Sequence, residues 1–425
     1  MRLATLALLG ALALDGADLR LIDAVRHRDR AAIEALARDR AALNATQPDG
    51  ATALAWAVHL EDEKTAALLI GAGANVNAAD EYGETPLTLA CANGNAALVR
   101  KLLEAGANPK AARWNGETAL MIAAGAGSVE SVKLLAARGA DVNAVENRKK
   151  QSALMWAAAE GHAAVVEALL QLGANPKSAS AAGFTPLVFA AVKNDSASVR
   201  SLLAAGANPN YTLPTGTRVL LVATAYKSMS AASALVNAGA DPNVKDQAGS
   251  TPLHMAAELG DVDLTRALLA KGANANARTP KQQMGRGGGG GQRRVIGELT
   301  PLHSAARAGH VEVMRALAAA GADPLVKAQG DTTLLMSAAG SGRAAAVKYV
   351  FQELDHRIDA VTDTGATVLH AALTGTLAIS TPDEIYEAVR FLVSKGAKDA
   401  PDSNGRTALQ IATRASMEKV AQLLK

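Results

Sequence analysis

The chain has 425 residues, a net charge of +3, 3% aromatic residues and one cysteine. Length alone favours about three globular domains. A net charge this small gives no electrostatic footprint for nucleic acid. One cysteine excludes an intramolecular disulfide and a cysteine-type zinc site. Cys91 has no basic neighbour, so we expect a buried core residue rather than a reactive thiol.

The first residues have the features of a secretory signal peptide. Arg2 precedes an apolar run at residues 3–14, which ends in Ala-Leu-Ala at residues 11–13. The run is too short to span a bilayer. We therefore predict that residues 1–13 are removed after Ala13 and that the protein is exported to the periplasm or the extracellular space. The alternative is an apolar helix that caps the following structure in a cytoplasmic protein.

A phrase recurs about every 33 residues from residue 47 onwards. It reads Gly-x-Thr-Pro-Leu, then Ala, Gly, Leu-Leu and Gly-Ala, as at residues 83–107, 183–207 and 249–273. Thr suits a helix N-cap, and Pro suits the first helical position, where its missing N–H costs nothing. A second helix follows and ends at a Gly suited to a left-handed conformation. A fixed period of this size indicates a stack of similar supersecondary units.

This pattern resembles the ankyrin repeat over nearly the whole chain. The resemblance implies an all-α solenoid of about twelve helix-turn-helix repeats with β-hairpin-like tips, as one domain at residues 14–425. A degenerate first repeat is expected from Leu14. The later repeats are predicted to start near Gln47, Asp80, Arg113, Asn147, Ser180, Leu213, Asp246, Val295, Ala328, Thr362 and Asp402.

The scarce aromatic residues fall into two groups. Trp56 and Trp156 occupy equivalent first-helix positions, and we predict that both pack in the core. Tyr82, Trp114 and Phe184 precede a first helix, at positions that such a fold leaves free. Exposed aromatic side chains aligned across repeats are typical of interface anchors. Partial packing against the adjacent hairpin is the alternative.

Other residues extend this candidate binding surface. Arg148 and Lys149 occupy the tip between Trp114 and Phe184 and would favour an acidic partner. Tyr226 falls near the end of its first helix and is expected on the same concave side. We predict that a partner contacts this set: Tyr82, Trp114, Arg148, Lys149, Phe184 and Tyr226.

Two segments depart from the repeat. An insertion at about residues 279–294 contains five consecutive glycines between Arg286 and Arg293 and is expected to be disordered from Pro280 onwards. It is either a mobile basic finger for an acidic partner or a tolerated loop. RNA binding is disfavoured, because no aromatic residues accompany the arginines. Near Asp355 the Gly-Ala-Asp stop is missing, so the second helix there is expected to end differently.

The histidines give no catalytic or metal-binding pattern. His254, His303 and His370 follow Leu in the repeated phrase, and His162 and His310 follow the Gly between two helices. These are structural positions in repeats of this kind, where imidazole can bond to a neighbouring loop. No nucleophile elbow, phosphate-binding loop or histidine pair is present in a suitable context. We therefore predict a protein without enzymatic activity, metal or cofactor.

The sequence thus predicts a monomeric scaffold that binds a protein partner on its concave hairpin face, without nucleic acid and without a membrane span after signal cleavage. Two alternatives stay open. One is an accessory or assembly factor for a partner enzyme of the bacterial envelope. The other is a cytoplasmic regulator or effector, which applies if the N-terminus is not cleaved.

Overall fold

A computed structural model describes residues 18–282, 297–375 and 380–425. In these ranges the chain forms α-helices and isolated β-bridges, without a β-sheet. The predicted signal peptide and most of the glycine-rich insertion lie outside the described residues. No described helix has both the length and the apolar character that crossing a bilayer requires.

The described residues divide into two compact units, residues 18–189 with 204–206 and residues 190–203 with 207–425, called unit 1 and unit 2. The helices of unit 1 are α1 (Arg20–His27), α2 (Arg30–Leu36), α3 (Arg40–Leu43), α4 (Ala53–His59), α5 (Glu63–Gly71), α6 (Pro86–Ala92), α7 (Ala96–Glu104), α8 (Ala119–Gly125), α9 (Val129–Ala137), α10 (Ala153–Glu160) and α11 (Ala163–Gln171). Two of the three points of division fall in α12 (Pro186–Lys193) and α13 (Ser196–Ala204), and the third follows α13.

The helices of unit 2 continue the same alternation. They are α14 (Val219–Ala225), α15 (Met229–Asn237), α16 (Pro252–Leu259), α17 (Val262–Ala270), α18 (Pro301–Ala308), α19 (Val311–Ala319), α20 (Leu334–Ala339), α21 (Ala344–Tyr349), α22 (Val368–Thr374), α23 (Pro382–Ser394), α24 (Ala408–Arg414) and α25 (Glu418–Leu423). A 3-10 turn covers Gln329–Asp331, and a π-helical turn covers Val350–Leu354. This order confirms an all-α solenoid of about twelve helix-turn-helix repeats, including the degenerate first repeat.

Small residues bring the first helices of neighbouring repeats close together. Within unit 1, α4 contacts α6, α6 contacts α8 and α8 contacts α10, while the second helices form a parallel series from α5 to α11. Alanine recurs at one buried position of these first helices, at Ala57, Ala90, Ala123 and Ala157. Each repeat therefore buries its apolar faces mainly against the repeats before and after it.

Most first helices begin at a Thr or Ser side-chain cap that follows from the repeated phrase, with α1 and α14 as exceptions. The Thr85 hydroxyl accepts a hydrogen bond from the Thr88 N–H at 3.2 Å, and the Thr88 hydroxyl accepts one from the Thr85 N–H at 2.7 Å. At the start of α16, His254 takes the place of Thr88. Its Nδ1 accepts a hydrogen bond from the Thr251 N–H at 3.2 Å. These reciprocal caps satisfy N–H groups that the first turn of a helix leaves without partners.

Asparagine side chains join the hairpin of one repeat to the next. In unit 1, Asn143 donates through Nδ2 to the Gly173 carbonyl at 3.1 Å, and its Oδ1 accepts the Asn175 N–H at 2.8 Å. The same two bonds are made by Asn77 in unit 1 and by Asn210, Asn243 and Asn276 in unit 2. Lys110 stands at the equivalent position between Asn77 and Asn143 and cannot accept a hydrogen bond.

Asp355 confirms the expected change at the end of one second helix. After α21 the chain continues through the π-helical turn and reaches Asp355, whose side chain is fully buried. Its carboxylate accepts the Leu335 N–H at 3.2 Å and the Arg357 Nε–H at 2.7 Å. Burial raises the pKa of Asp355, but the hydrogen bonds from Arg357 and Leu335 outweigh it and hold the pKa below its ordinary value.

The first residues of the predicted disordered segment, 280–282, are ordered, so its starting boundary is corrected. The Pro280 carbonyl accepts the Glu298 N–H at 3.2 Å. The Gln329 side chain accepts the Gln282 N–H through Oε1 and donates through Nε2 to the Gln282 carbonyl, both at 2.8 Å. Residues 280–282 therefore belong to the ordered hairpin, because their backbone groups are paired with neighbouring repeats. The rest of the predicted disordered segment, residues 283–294, lies outside the described residues.

The asparagine bridge generates a stability prediction. Asn143→Ala removes two inter-repeat bonds, so we expect it to lower the free energy of unfolding by about 1–2 kcal/mol. Lys110→Ala is the matched control, with an expected change within about 0.5 kcal/mol. Urea unfolding of the two full-length variants measures both effects. If both variants lost the same free energy of unfolding, the inter-repeat hydrogen bonds of the Asn143 amide would contribute nothing to stability.

Candidate functional site

Backbone hydrogen bonds connect the hairpin tips of unit 1. We call residues 80–83, 113–116, 147–150 and 180–183 the tips. The Trp114 N–H donates to the Tyr82 carbonyl at 3.1 Å, the Asn147 N–H to the Asn115 carbonyl at 2.9 Å, and the Ala181 N–H to the Lys149 carbonyl at 2.7 Å. The tips are therefore a connected row of turns rather than independent loops.

Tyr82 and Trp114 project from this row into solvent. The Asp80 carboxylate accepts the N–H groups of Tyr82 at 2.9 Å and Glu84 at 2.7 Å, which fixes the turn. Gly83 has φ +78°, and a Cβ there would lie 2.9 Å from the Trp114 nitrogen, so the close approach of the tips requires glycine. The side chains of Tyr82 and Trp114 remain 55% and 69% exposed. The predicted exposure of these two residues is confirmed.

The third predicted aromatic residue is placed differently. Phe184 is half-buried, and its ring centroid lies 5.7 Å from that of Phe189 on α12. In repeat register, Phe184 matches Glu84, one residue beyond the tip, so it faces the first helix. Phe184 is therefore not a freely exposed tip residue, and its ring packs on the first helix of its own repeat rather than on the adjacent hairpin.

Arg148 and Lys149 are exposed on the tip that carries one extra residue. Glu146 is buried below them and accepts the N–H groups of Arg148 and Lys149 at 2.7 Å and that of Gln151 at 2.9 Å. Burial raises the pKa of Glu146, but the hydrogen bonds from these backbone N–H groups lower the pKa by more than burial raises it. The net shift of the pKa is therefore downward. The buried carboxylate fixes the loop and leaves both basic side chains in solvent.

Tyr226 lies in a different unit from the other five residues. It is the C-cap of α14 and is 64% exposed, but it lies in unit 2. Tyr82, Trp114, Arg148, Lys149 and Phe184 all lie in unit 1. Four of these five residues are exposed and form the candidate surface of unit 1, while Phe184 is half-buried beside them.

The structure also reveals two grooves that the sequence analysis missed. Trp56 and Trp156 are half-buried rather than core residues, so their predicted core packing is wrong. Trp156 lines an open groove of about 470 Å³, called the Trp156 groove. Its lining includes Arg113, Ile122, Gly125, Gln151, Trp156 and Glu160. Trp56 lines a smaller groove of about 150 Å³ with Asp80 and Glu84.

The lining of the Trp156 groove contains one acidic side chain, Glu160, and one basic side chain, Arg113. Arg113 is held between two carboxylates, with Nη2 2.5 Å from Glu84 Oε1 and Nη1 3.0 Å from Glu117 Oε2. Burial lowers the pKa of Arg113, but the hydrogen bonds that it donates to Glu84 and Glu117 raise the pKa above its ordinary value. Glu160 is exposed at the end of α10, on the groove. The lining itself carries one negative charge, on Glu160, and one positive charge, on Arg113, and the carboxylates of Glu84 and Glu117 balance the latter.

The histidines confirm the structural interpretation. His254 Nε2 lies 3.0 Å from the Leu299 carbonyl, and His370 Nε2 lies 2.8 Å from the Arg406 carbonyl, each in the following repeat. His162 and His310 bond to the carbonyls of Gly125 and Glu258. Burial lowers the pKa of His303 to about 4, so its imidazole is neutral near pH 7. Within the described ranges, no group of His, Cys, Asp and Glu could hold a metal ion.

Cys91 is fully buried, as the sequence predicts. Burial raises the pKa of its thiol to about 12. The thiolate fraction at neutral pH is therefore negligible, which makes Cys91 an inert core residue.

Comparison with known proteins identifies one family. The family model described as ankyrin repeats (3 copies) matches residues 21–113, 69–146, 107–180, 187–279, 220–328 and 302–381. These overlapping matches cover most of the chain. No curated protein matches it.

The different burial of the three aromatic residues generates a second prediction. Tyr82→Ala and Trp114→Ala should each change the free energy of unfolding by less than about 0.5 kcal/mol, because their side chains are exposed. Phe184→Ala should cost about 1–2 kcal/mol, less than the loss of a fully buried phenylalanine. Thermal unfolding of the three variants tests the order. A Trp114→Ala variant that melts as early as Phe184→Ala would contradict it.

Proposed function

The chain belongs to the ankyrin-repeat family, whose repeats generally serve as protein–protein interaction modules, and we propose that unit 1 docks a protein partner on its tips and grooves. The observation that supports this site is the pair Tyr82 and Trp114. Both are exposed aromatic side chains on adjacent tips that a backbone hydrogen bond joins. Tyrosine and tryptophan are the residues most enriched at interface hot spots, because they bury much area at low entropic cost.

The basic tip contributes orientation rather than most of the affinity. Arg148 and Lys149 lie in solvent above a buried carboxylate that fixes their loop. Exposed charges at the rim of an interface mainly raise the association rate and make it sensitive to salt. This supports a partner with acidic residues facing the tip at 147–150.

Capture experiments test the proposed binding face. Full-length protein is used to capture partners from its native compartment, and the affinity of the purified partner is then measured. Tyr82→Ala combined with Trp114→Ala is expected to weaken binding by about 2 kcal/mol or more, which is about thirtyfold or greater. Tyr226→Ala is the matched control, since it removes an equally exposed aromatic side chain from unit 2. A normally folded double variant with unchanged affinity would place the binding face elsewhere.

We further propose that the partner is met outside the cytoplasm. The support is the charged start, apolar run and Ala-Leu-Ala site of residues 1–13. Expression in a bacterium, followed by sequencing of the N-terminus, is expected to give a periplasmic product that begins at Leu14. A cytoplasmic product that retains Arg2 would favour the regulator alternative instead.

A further inference from the structure

Two tryptophans at equivalent repeat positions have different surroundings. The guanidinium carbon of Arg26 lies 4.9 Å from the centroid of the Trp56 ring, and Trp56 Nε1 donates to Gln47 Oε1 at 2.8 Å. Trp156 has neither interaction. Its buried Nε1 is without a hydrogen-bond partner in the described part of the chain. The chain therefore supplies a cation and an acceptor to one indole and not to the other.

The residues next to the Trp156 ring are small, and Gly125 lets the ring lie directly against α8. Gly125 ends α8 next to the ring, and a Cβ there would lie 3.0 Å from Trp156 Cε3. Ala126 and Ala159 continue the small lining. The groove of about 470 Å³ falls within the range of protein pockets that take a small ligand or side chain. The Trp156 ring thus borders an open space, while an internal guanidinium covers the Trp56 ring.

The charges around this space favour a cation. Glu160 lies on the groove and has no ion-pair partner among the described residues. Arg113, the cationic side chain of the lining, is already bonded to Glu84 and Glu117. On the lining, an incoming carboxylate would meet the unpaired carboxylate of Glu160 and a guanidinium that Glu84 and Glu117 already balance, whereas an incoming cation would meet an aromatic ring and that same unpaired carboxylate.

We propose that the Trp156 groove binds one arginine or lysine side chain of the partner protein. The cation stacks on Trp156 as Arg26 stacks on Trp56, and Glu160 balances its charge. Cation–π contacts are strongest on tryptophan and gain from partial burial. This inference rests on the proposed function and adds the chemistry of the partner. Since Arg148 and Lys149 repel a uniformly basic segment, the segment carries its cation beside neutral or acidic residues.

Two small probes test the groove without a known partner. N-acetyl-arginine amide and its neutral analogue N-acetyl-citrulline amide are titrated separately into the full-length protein, and the indole N–H signals are followed by NMR. Trp156→Phe assigns the relevant signal. We expect the arginine probe to shift the Trp156 signal and to leave Trp114 unchanged, while the citrulline probe shifts neither. An equal response to both probes, or no response at Trp156, would overturn the proposal.

Charge variants give a second, independent test. Glu160→Gln is expected to raise the Kd of the arginine probe about two- to fivefold, the range of a partly exposed ion pair. Glu104→Gln is the matched control, because Glu104 is an exposed carboxylate at the end of the second helix α7. An unchanged Kd in Glu160→Gln would overturn the assigned role of Glu160.

The same variants separate this inference from the proposed function. If the captured partner loses affinity in the Tyr82→Ala, Trp114→Ala double variant but binds Glu160→Gln and Trp156→Leu normally, the tip interface stands and the cation site is wrong. If the partner binds the tip variant normally but loses affinity in Glu160→Gln, the cation site stands and the tip interface is wrong. Circular dichroism melting controls for the folding of Trp156→Leu.

Discussion

Every repeat of this chain can bury its apolar faces only against its neighbours, and the other features of the fold follow from that constraint. The first helices must approach closely, so alanine occupies their facing positions, as at Ala90 and Ala123. The hairpins must stay in register along the stack, and asparagine amides such as Asn143 supply one donor and one acceptor for this purpose. Short-range contacts of this kind distribute stability along the chain rather than concentrating it in one core.

Close approach of the helices also determines what their exposed side can hold. A large side chain cannot enter a layer built from alanine, so the rings of Trp56 and Trp156 lie at its surface. Where the neighbouring residues are Gly125 and Ala126, the ring borders a groove. The grooves are therefore a product of the same size restriction that makes the repeats stack, combined with a tryptophan at one position.

The fold was predictable from local signals, because cap, proline and terminal glycine each act within a few residues. The degenerate first repeat and the altered helix end near Asp355 were predictable for the same reason. Whether an aromatic side chain is exposed or packed depends on its exact position within the repeat. A shift of two or three residues along a turn separates exposed Tyr82 and Trp114 from Phe184, which packs on Phe189. The Trp156 groove was not predictable, because it depends on Gly125 and Trp156 from different repeats meeting in space.

The backbone bonds that connect the tips have a consequence for the entropy of association. A loop that becomes ordered when it binds loses conformational freedom at that moment, and this loss is subtracted from the affinity. The turns carrying Tyr82 and Trp114 are already fixed by the Asp80 carboxylate and by one another. Their aromatic rings, each with two rotatable side-chain bonds, are then nearly all that remains to be ordered. A partner would meet a preorganised surface, so contacts made there translate into slow dissociation.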